Sequence, residues 1–390
     1  MNNGINYQFT KIFDRSVIGV SILFTLSISL TSWAQLRLDS FKPGELWPDT
    51  DGKHINAHGG GFLYSNGTYY WYGEHKGKES SAQVGVRVYS SKDLYNWKNE
   101  GVALSVSHDS NSEIVPGCVI ERPKVIFNEK TNTYVMWFHL ELKGQGYAAA
   151  KTAVATSNNP VGPFKFLKSF RPNAGYWPVG FQKELKNKTY GKEYEKWWTP
   201  VWKQGLDEGM FVNRDLEKGQ MSRDMTLYVD TDGKAYHIHA SEENQTLHIS
   251  ELTDDFLDFT DRWARILPGG QNEAPAIFKE GKYYYLITSG LTGWEPNAAR
   301  SFRATSIWGP WIALGNPAIG IESEVTFRSQ STYVLPVFGK PSAYIFMADR
   351  WNPKNHIDGR YIWLPITLTD DNRLIIEWMD EWNLDWFNKI

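Results

Sequence analysis

The sequence predicts an all-β protein with the fold of a five-bladed β-propeller, because one strand pattern occurs five times and no convincing amphipathic helix separates the copies. In each copy a turn residue and a tyrosine precede alternating apolar residues, which is typical of a tight turn that leads into an inner strand. The copies are NGTYYWYGEH from Asn66, TNTYVMWFHL from Thr131, DGKAYHIHAS from Asp232, EGKYYYLITS from Glu280 and KPSAYIFMAD from Lys340.

A second strand and another turn follow each copy. These segments are VGVRVYSSKDLYNW from Val84, TAVATSNNPVGPF from Thr152, TLHISELTDDFLDF from Thr246, ARSFRATSIWGPW from Ala299 and RYIWLPITLTDD from Arg360. Five copies at roughly 50 to 65 residues, with one longer gap, are what five stacked four-stranded blades require. A β-sandwich would show no such repeat.

The longer gap contains an insertion at about 171–220 that is rich in Lys and Trp. A loop of this length inside a compact domain is usually either functional or disordered. Its four tryptophans, Trp177, Trp197, Trp198 and Trp202, favour order. We expect the insertion to form a packed wall beside the functional site.

The N-terminus has the pattern of an export signal over residues 1–34. Lys11 and Arg15 precede an apolar run from Val17 to Leu30, and Ser32-Trp33-Ala34 resembles a small-x-small cleavage site. Cleavage after Ala34 would leave a lead-in segment at 35–57 and a propeller domain at 58–390. An uncleaved anchor is the alternative, but the apolar run is shorter than the roughly 20 residues of a spanning helix. We therefore expect a periplasmic or secreted protein whose mature form has no membrane span.

Composition excludes one class of partner and favours another. The formal net charge is -3, and the chain has no basic stripe that could neutralise phosphates, so we expect no nucleic-acid partner. Aromatic residues make up 15% of the chain, with 18 Trp and 20 Tyr. Flat rings with polar edges suit the faces of sugars, although filling of the sheet layers accounts for many of them.

Polar residues occur where the inner strands of the five blades begin. They are His58, Glu121, Asp224, Glu273 and Gln330. Because inner strands converge on the propeller axis, we expect these side chains to meet in a shallow pocket. Glu273, directly before Ala-Pro, could by itself be a solvated loop residue, but at the axis partial burial would raise its pKa and allow it to donate a proton.

The longer motifs carry a resemblance to a known family. AHGGGFLYSNGTYYWYGE, ERPKVIFN, EAPAIFK, SGLTGW, ADRW and GRYIWLPI resemble glycoside hydrolase family 43, and within it the exo-β-1,3-galactanase branch. The resemblance covers about His58 to Pro365. It implies a five-bladed enzyme that hydrolyses O-glycosyl bonds and releases terminal galactose from β-1,3-galactan, as in the backbone of arabinogalactan.

The resemblance also implies catalytic roles. Glu273 matches the general acid, and Glu121 stands where most members have the Asp that tunes this acid. Most members have an Asp as general base in the first blade, where this sequence has His58, and the galactanase branch assigns the attacking water to a glutamine in the position of Gln330. Because a neutral amide is a poor proton acceptor, Glu121 is the alternative base. A separation of roughly 6.5–9.5 Å between the carboxyl groups would give inversion.

Contacts to the terminal sugar follow from the same resemblance. Expected hydroxyl partners are Glu74, Tyr147, Asp224 and Thr292, with Trp294 as a stacking face. His58 would either bond a hydroxyl or be a satisfied core histidine. Arg350 and Trp351 would belong either to the site or to the packing that closes the last blade.

We expect a monomer that acts on a polysaccharide or oligosaccharide without a cofactor, since the sequence has no strong metal-ligand cluster. Some relatives hold an ion on the axis, so structural calcium stays open. Two other functions stay open as well. The insertion leaves room for an α-L-arabinofuranosidase or galactofuranosidase. The absent first-blade Asp leaves room for a non-catalytic carbohydrate-binding propeller, although such a protein would not need both Glu121 and Glu273.

Overall fold

The computed structural model describes residues 37–388, so the predicted export signal lies outside the described residues. The strands form five sheets that follow one another along the chain. The first contains β1 (His58–Ser65), β2 (Thr68–Glu74), β3 (Gly85–Ser91) and β4 (Lys98–Ser105). The second contains β5 (Val119–Asn128), β6 (Thr133–Glu141), β7 (Lys151–Ser157) and β8 (Lys165–Phe170). Both are antiparallel meanders.

The remaining sheets follow the same plan. The third contains β9 (Met225–Val229), β10 (Ala235–Ser241), β11 (Thr246–Leu252) and β12 (Phe259–Ile266). The fourth contains β13 (Glu273–Glu280), β14 (Tyr283–Ser289), β15 (Arg300–Ala304) and β16 (Ile312–Gly315). The fifth contains β17 (Ala318–Ile319), β18 (Gln330–Pro336), β19 (Tyr344–Arg350), β20 (Arg360–Leu368) and β21 (Leu374–Glu377), with β17 pairing parallel to the outer strand β21.

The sheets close into a ring, which confirms the predicted five-bladed propeller. The first full-length strand of each blade contacts that of the next, in the order β1, β5, β9, β13, β18 and back to β1. The repeated Tyr-containing pattern, which was expected to form an inner strand, forms the second strand of each blade, next to the innermost one. The reason is that its turn, such as Asn66–Gly67 between β1 and β2, joins the innermost strand to the second one.

Apolar side chains fill every interface between neighbouring blades. One buried cluster lies at each of the five interfaces, and the one between the last and first blades contains the tryptophans Trp71, Trp97 and Trp363. Each fully buried large side chain contributes about 1.5–3 kcal/mol relative to an exposed one. Much of the aromatic content is therefore core, as the composition allowed.

The lead-in segment seals the ring where the last blade meets the first. Phe41 pairs with Trp382 through two backbone hydrogen bonds, and both rings lie in the cluster between these blades. Within residues 37–388, no helix has the length and apolar character needed to cross a bilayer.

The insertion contains two short helices that were not predicted, α1 (Pro200–Glu208) and α2 (Met210–Asp215). Thr199 caps α1 by accepting a hydrogen bond from the Trp202 backbone, Pro200 begins it, and Gly209 ends it with φ 85°. These local signals define helices too short to show a clear period. Short 3-10 turns occur at Lys183–Leu185, Lys192–Tyr194, Ser323–Arg328, His356–Asp358 and Leu384–Asn388.

The insertion packs on the outer strand of the third blade. The Trp263 indole donates to Tyr176 O at 3.0 Å, and Arg265 donates to Asp207 O at 3.0 Å. Trp202 is 1% exposed inside the insertion's own small cluster. The insertion was expected to be ordered, and its own small hydrophobic cluster and its hydrogen bonds to blade three give the physical reason.

Candidate active site

The five polar residues at the strand starts lie at one end of the propeller, as expected. His58, Glu273 and Gln330 are the first residues of β1, β13 and β18, Asp224 immediately precedes β9, and Glu121 is the third residue of β5. A cavity of ≈ 280 Å³ opens at this end of the axis. Seven of the nine predicted site residues line it: Glu74, Glu121, Tyr147, Asp224, Glu273, Trp294 and Gln330.

A repeated backbone feature follows three of these residues and sets the direction of their side chains: Glu121 and Glu273 line the axial cavity, whereas His58 does not. Strands β1, β5 and β13 each shift register just after the polar residue, and the next residue has a left-handed φ, 59° at Gly59, 54° at Arg122 and 51° at Ala274. Such bulges re-aim a side chain, and a left-handed residue other than glycine is strained, so the surroundings must hold it in place.

Carboxylates of the preceding blade fix these left-handed residues by accepting hydrogen bonds from their backbone N–H groups. The backbone N–H of Arg122 donates to Glu74 at 2.9 Å, and that of Ala274 donates to Asp224 at 3.1 Å. The N–H of Gly59 donates to Asp349 in the same way. These three side chains therefore join adjacent blades, and Glu74 and Asp224, which line the cavity, also contribute negative charge to it.

Glu273 has the environment of a proton donor. Its side chain is partly buried, and Asn244 Nδ2 donates to its Oε1 at 3.0 Å. Burial, and secondarily the negative charge of Asp224, raises the pKa of Glu273 to about 8. The carboxyl group is thus protonated at neutral pH, which is the state that a general acid requires.

Glu121 has the opposite environment. Burial alone would raise its pKa, but the hydrogen bond from His139 Nδ1 at 3.0 Å, the charge of that ring and the charge of Lys76 lower the pKa to about 2. The Tyr147 hydroxyl donates to its other oxygen at 2.9 Å. Two carboxyl groups whose pKa values are pushed this far apart form an acid and an ionised partner.

His139 carries the positive charge that keeps Glu121 ionised. Its second ring nitrogen lies 2.9 Å from Oε1 of Glu141, which is fully buried and also accepts from the Ala150 N–H at 3.0 Å. Burial opposes the charged ring, but the two carboxylates outweigh it and raise the pKa of His139 to about 9. His139 and Glu141 were not predicted as site residues, although WFHLEL places these two polar residues on one face of an otherwise apolar strand.

Gln330 is fixed by two obligatory donors. Its Oε1 accepts from Arg122 Nη2 at 2.5 Å and from the Trp351 indole at 3.1 Å. Its Nε2 donates to the Ser289 hydroxyl at 2.9 Å, which leaves the second N–H of the amide for another partner. Since neither guanidinium nor indole can accept a hydrogen bond, this orientation of the amide is the one that satisfies all three contacts.

Several other residues that line the cavity were not predicted as site residues. They are Lys76, Arg122, His139, Arg223, Asn244, Gly293 and Trp351. Arg122 is central among them, since Nη2 also contacts Asp224 at 2.9 Å and the guanidinium lies 5.5 Å from the Trp351 ring centre. The sequence left open whether Arg350 and Trp351 belong to the site or to the packing of the last blade. Trp351 lines the cavity, whereas Arg350 is absent from the cavity lining and donates to Phe327 O at 2.8 Å.

The structure does not bring His58 and Thr292 to the cavity. His58 is 0% exposed, its ring stacks on Tyr361 with centres 5.6 Å apart, and burial lowers its pKa well below the usual range. It is thus a neutral buried residue, but neither ring nitrogen has a hydrogen-bond partner among the described residues, so it is not the satisfied core histidine that the sequence left open either. Thr292 donates to Glu295 O and accepts from Asn297 Nδ2 at 2.7 Å, so its hydroxyl is engaged within its own loop. Neither arrangement suits the predicted contact to a sugar hydroxyl.

One group among the described residues has the composition of a metal site. Ligand atoms of Glu121, His139 and Asp224 lie within 4.8 Å of one another. Both ring nitrogens of His139 are already bound to carboxylates, and Asp224 is paired with Arg122. Calcium needs six to eight oxygen ligands, and a cation here would face an imidazolium and a guanidinium. This group therefore does not fit calcium.

The cavity combines a protonated carboxylic acid, an ionised carboxylate and exposed aromatic faces, which is the equipment for acid-assisted hydrolysis of a glycosidic bond. The sequence profile of glycosyl hydrolases family 43 matches residues 197–326. A solved structure of the family-43 β-1,3-galactosidase BT3683 with galactodeoxynojirimycin is 53% identical, with TM-score 0.87, over 88% of this chain and 100% of that one. The chain belongs to glycoside hydrolase family 43.

Two further solved structures define its neighbourhood within the family. The exo-β-1,3-galactanase 1,3Gal43A from Clostridium thermocellum is 36% identical, with TM-score 0.72, over 88% of this chain and 66% of that one. An exo-β-1,3-galactanase from Phanerochaete chrysosporium, solved with galactose, is 32% identical, with TM-score 0.71, over 89% of this chain and 68% of that one. This chain therefore spans about two thirds of these two enzymes. No curated protein sequence matches it.

Proposed function

We propose that this glycoside hydrolase is exo-acting and releases terminal galactose from β-1,3-galactan, as in the backbone of arabinogalactan. The observation that carries the proposal is the similarity over the whole length of a β-1,3-galactosidase, joined to a compact cavity at the end of the axis. A cavity whose floor is made of the five innermost strands admits a chain end more readily than the middle of a polymer.

Glu273 protonates the departing glycosidic oxygen in this proposal. Its raised pKa supplies the proton at neutral pH, and the bond from Asn244 fixes the orientation of the carboxyl group. Because a galactose leaving group is poor, its departure needs this proton. The positive charge that develops at the anomeric carbon of the terminal galactose would be stabilised by Glu121, Asp224 and Glu74, which line the same cavity.

Glu121 takes the proton of the attacking water, and Gln330 orients that water. The amide could act as a base only through a tautomer that carries hydrogen on Oε1, but that oxygen faces the donors of Arg122 and Trp351. The remaining N–H of Gln330 can still bind water. Glu121 is a weak base at rest, yet a water that bonds to an oxocarbenium-like carbon becomes strongly acidic, so an ionised carboxylate suffices. The product is then the inverted sugar.

The sugar would be held by polar side chains of the cavity wall and by an aromatic face. Glu74, Tyr147 and Asp224 offer oxygen atoms to its hydroxyls, and Trp294, which is 46% exposed, offers an aromatic face. Trp351 forms an edge-on contact with Trp294, with ring centres 6.1 Å apart, and would support its orientation.

Product analysis on three kinds of substrate tests the proposed function. Incubation with β-1,3-linked galactotriose should release galactose, and proton NMR should show α-galactose as the first anomer. Aryl α-L-arabinofuranosides and galactofuranosides should remain intact. Release of arabinose alone would instead identify an arabinofuranosidase. Binding of galactotriose without any release of sugar would identify a non-catalytic binding protein.

The pH dependence should report the acid. Because Glu273 must be protonated and its pKa is raised to about 8, kcat/KM should fall above about pH 8. Glu121 must be ionised, and because its pKa is about 2, kcat/KM should not fall on the acidic side until the pH is far below neutrality. A pH series of kcat/KM on galactotriose measures the profile. A rate that rises through pH 8 would contradict this assignment.

We propose further that catalysis needs no bound metal. The Glu121, His139 and Asp224 group is satisfied by protein partners, so removal of divalent ions should leave the reaction unchanged. Dialysis against EDTA followed by the galactotriose assay tests this. Loss of activity that calcium restores would refute it.

Export to the periplasm or the medium is likewise a proposal, supported by the signal pattern of residues 1–34. N-terminal sequencing of the exported protein should begin at Gln35. The expectation of a monomer stays a prediction that sedimentation can check.

A further inference from the structure

The insertion encloses a second cavity that the proposed catalysis does not use. Its volume is ≈ 530 Å³, larger than that of the cavity on the axis. Aromatic side chains dominate its lining, and polar side chains stand among them. The aromatic members are Tyr190, Tyr194, Trp197, Trp202 and Phe211, and the polar ones are Asn187, Lys188, Glu195, Asn213 and Arg214.

Two exposed tryptophans pack on a buried one here: Trp197 lines the cavity, and Trp198 lies beside Trp197, outside the lining, with ring centres 5.9 Å apart. Trp197 is 43% and Trp198 is 56% exposed, whereas Trp202 beneath them is 1% exposed. Trp197 stacks on Trp202 with ring centres 5.0 Å apart and planes 27° apart, and Trp198 lies at the same distance from Trp202. Trp198 also has φ 68°, a strained conformation for a bulky residue. Large rings held exposed on a packed base, next to hydrogen-bonding groups, suit the faces and hydroxyls of sugars.

A continuous polar rim joins this cavity to the one on the axis. Arg214, in the lining of the insertion cavity, contacts Glu243 at 2.9 Å. Glu243 lies 3.9 Å from Arg223, which lines the axial cavity and donates to Tyr147 O at 2.9 Å. The turn that carries Glu243 also carries Asn244, the partner of Glu273. Both cavities therefore open beside one turn, at the end of blade three where the site lies.

We propose that the insertion cavity is a distal subsite for the same β-1,3-galactan chain whose terminal galactose enters the axial cavity. The proposal rests on the proposed function, since an exo-acting enzyme leaves all but the end of the polymer outside its pocket. A chain that leaves the axial cavity across Arg223 and Glu243 reaches the tryptophans, and contact there would hold long substrates more tightly than short ones. The distal site would thus lower KM for polymer without contributing to bond cleavage.

Comparison of a short and a long substrate tests the distal site in the full chain. Trp197→Ala and Trp198→Ala should raise KM for β-1,3-galactan about three- to tenfold, the effect of one lost aromatic contact, while kcat/KM on galactotriose stays unchanged. Trp198→Phe, which keeps an aromatic ring, should have a KM for β-1,3-galactan close to that of the wild type. Phe338→Ala is the matched control, because Phe338 is 64% exposed in the turn between β18 and β19, at the other end of the propeller.

Each result separates this inference from the function on which it rests. If the wild-type enzyme cleaves galactotriose but the tryptophan variants keep their KM for polymer, the distal site is refuted and the function stands. An equal loss on both substrates would indicate a structural role and would also refute it. Retardation of Glu273→Gln protein in a gel that contains galactan, lost on adding Trp198→Ala, would support the site even if no sugar is released. Self-association that Trp198→Ala abolishes, with unchanged retardation, would assign the surface to a second copy instead.

Discussion

Replacement of Glu273 by glutamine is expected to lower turnover of β-1,3-galactotriose by about a hundredfold or more, because the departing galactose then leaves without a proton. An aryl galactoside with an acidic phenol needs little protonation, so the same variant should lose much less on it. The loss of activity above about pH 8 should also vanish, since the group whose pKa is raised to about 8 is gone. Steady-state kinetics on both substrates over a pH series measure all three effects.

Glu280→Gln is the matched control for this variant. Glu280 is the last residue of the same strand, at the end of the blade away from the cavity. Its carboxylate accepts hydrogen bonds from the hydroxyls of Ser342 and Tyr344 at 2.7 Å each. The substitution therefore makes the same chemical change far from the cavity. It should leave the kinetics unchanged. Equal losses of Glu273→Gln on the poor and the activated leaving group would remove Glu273 from the role of general acid.

The fold could be predicted because its signal is repeated. Each blade has the same turn and the same alternation, so five weak strand patterns support one another. The innermost strands were less visible than the second ones, because glycines and a bulge interrupt β1 and a bulge interrupts β5 soon after these strands begin. The helices of the insertion were missed, since caps such as Thr199 and Gly209 define them rather than a period.

Site residues at the starts of the innermost strands could be predicted, because these strands all begin near the propeller axis. Site residues on loops could not, because the path of a loop does not follow from the repeat. Glu121, Asp224, Glu273 and Gln330 follow from topology once five blades are recognised. Asn244 comes from a turn outside the repeated pattern.

The direction in which a polar side chain points also depends on its hydrogen-bonding and packing partners, which cannot be read from the sequence. Arg122 follows Glu121 in the chain, yet the left-handed backbone directs it across the axis to Gln330. The same limit explains His58. It occupies the expected position at the start of a strand, but its ring turns into the core against Tyr361.

The pair Glu121 and Gln330 gives the second large expected effect. Glu121→Gln should lower kcat by about a hundredfold or more on poor and activated substrates alike, because the attacking water is needed whatever leaves. Gln330→Ala should lower kcat less, since it removes the orientation of a water but not its proton acceptor. Glu129→Gln, in the exposed turn after β5, is the matched control for the first variant and should behave as wild type.

Azide separates the two assignments, because it attacks carbon without having to lose a proton. Glu121→Ala, which leaves room for the ion, should regain part of its activity with azide on an activated galactoside and should form the glycosyl azide of inverted configuration. Gln330→Ala should gain little, since its base is intact. Rescue confined to Gln330→Ala would overturn the assignment and would mean that the amide releases Arg122 and Trp351 during the reaction. The observed contacts oppose that outcome, because both donors would have to turn away from Oε1 before that oxygen could carry a proton.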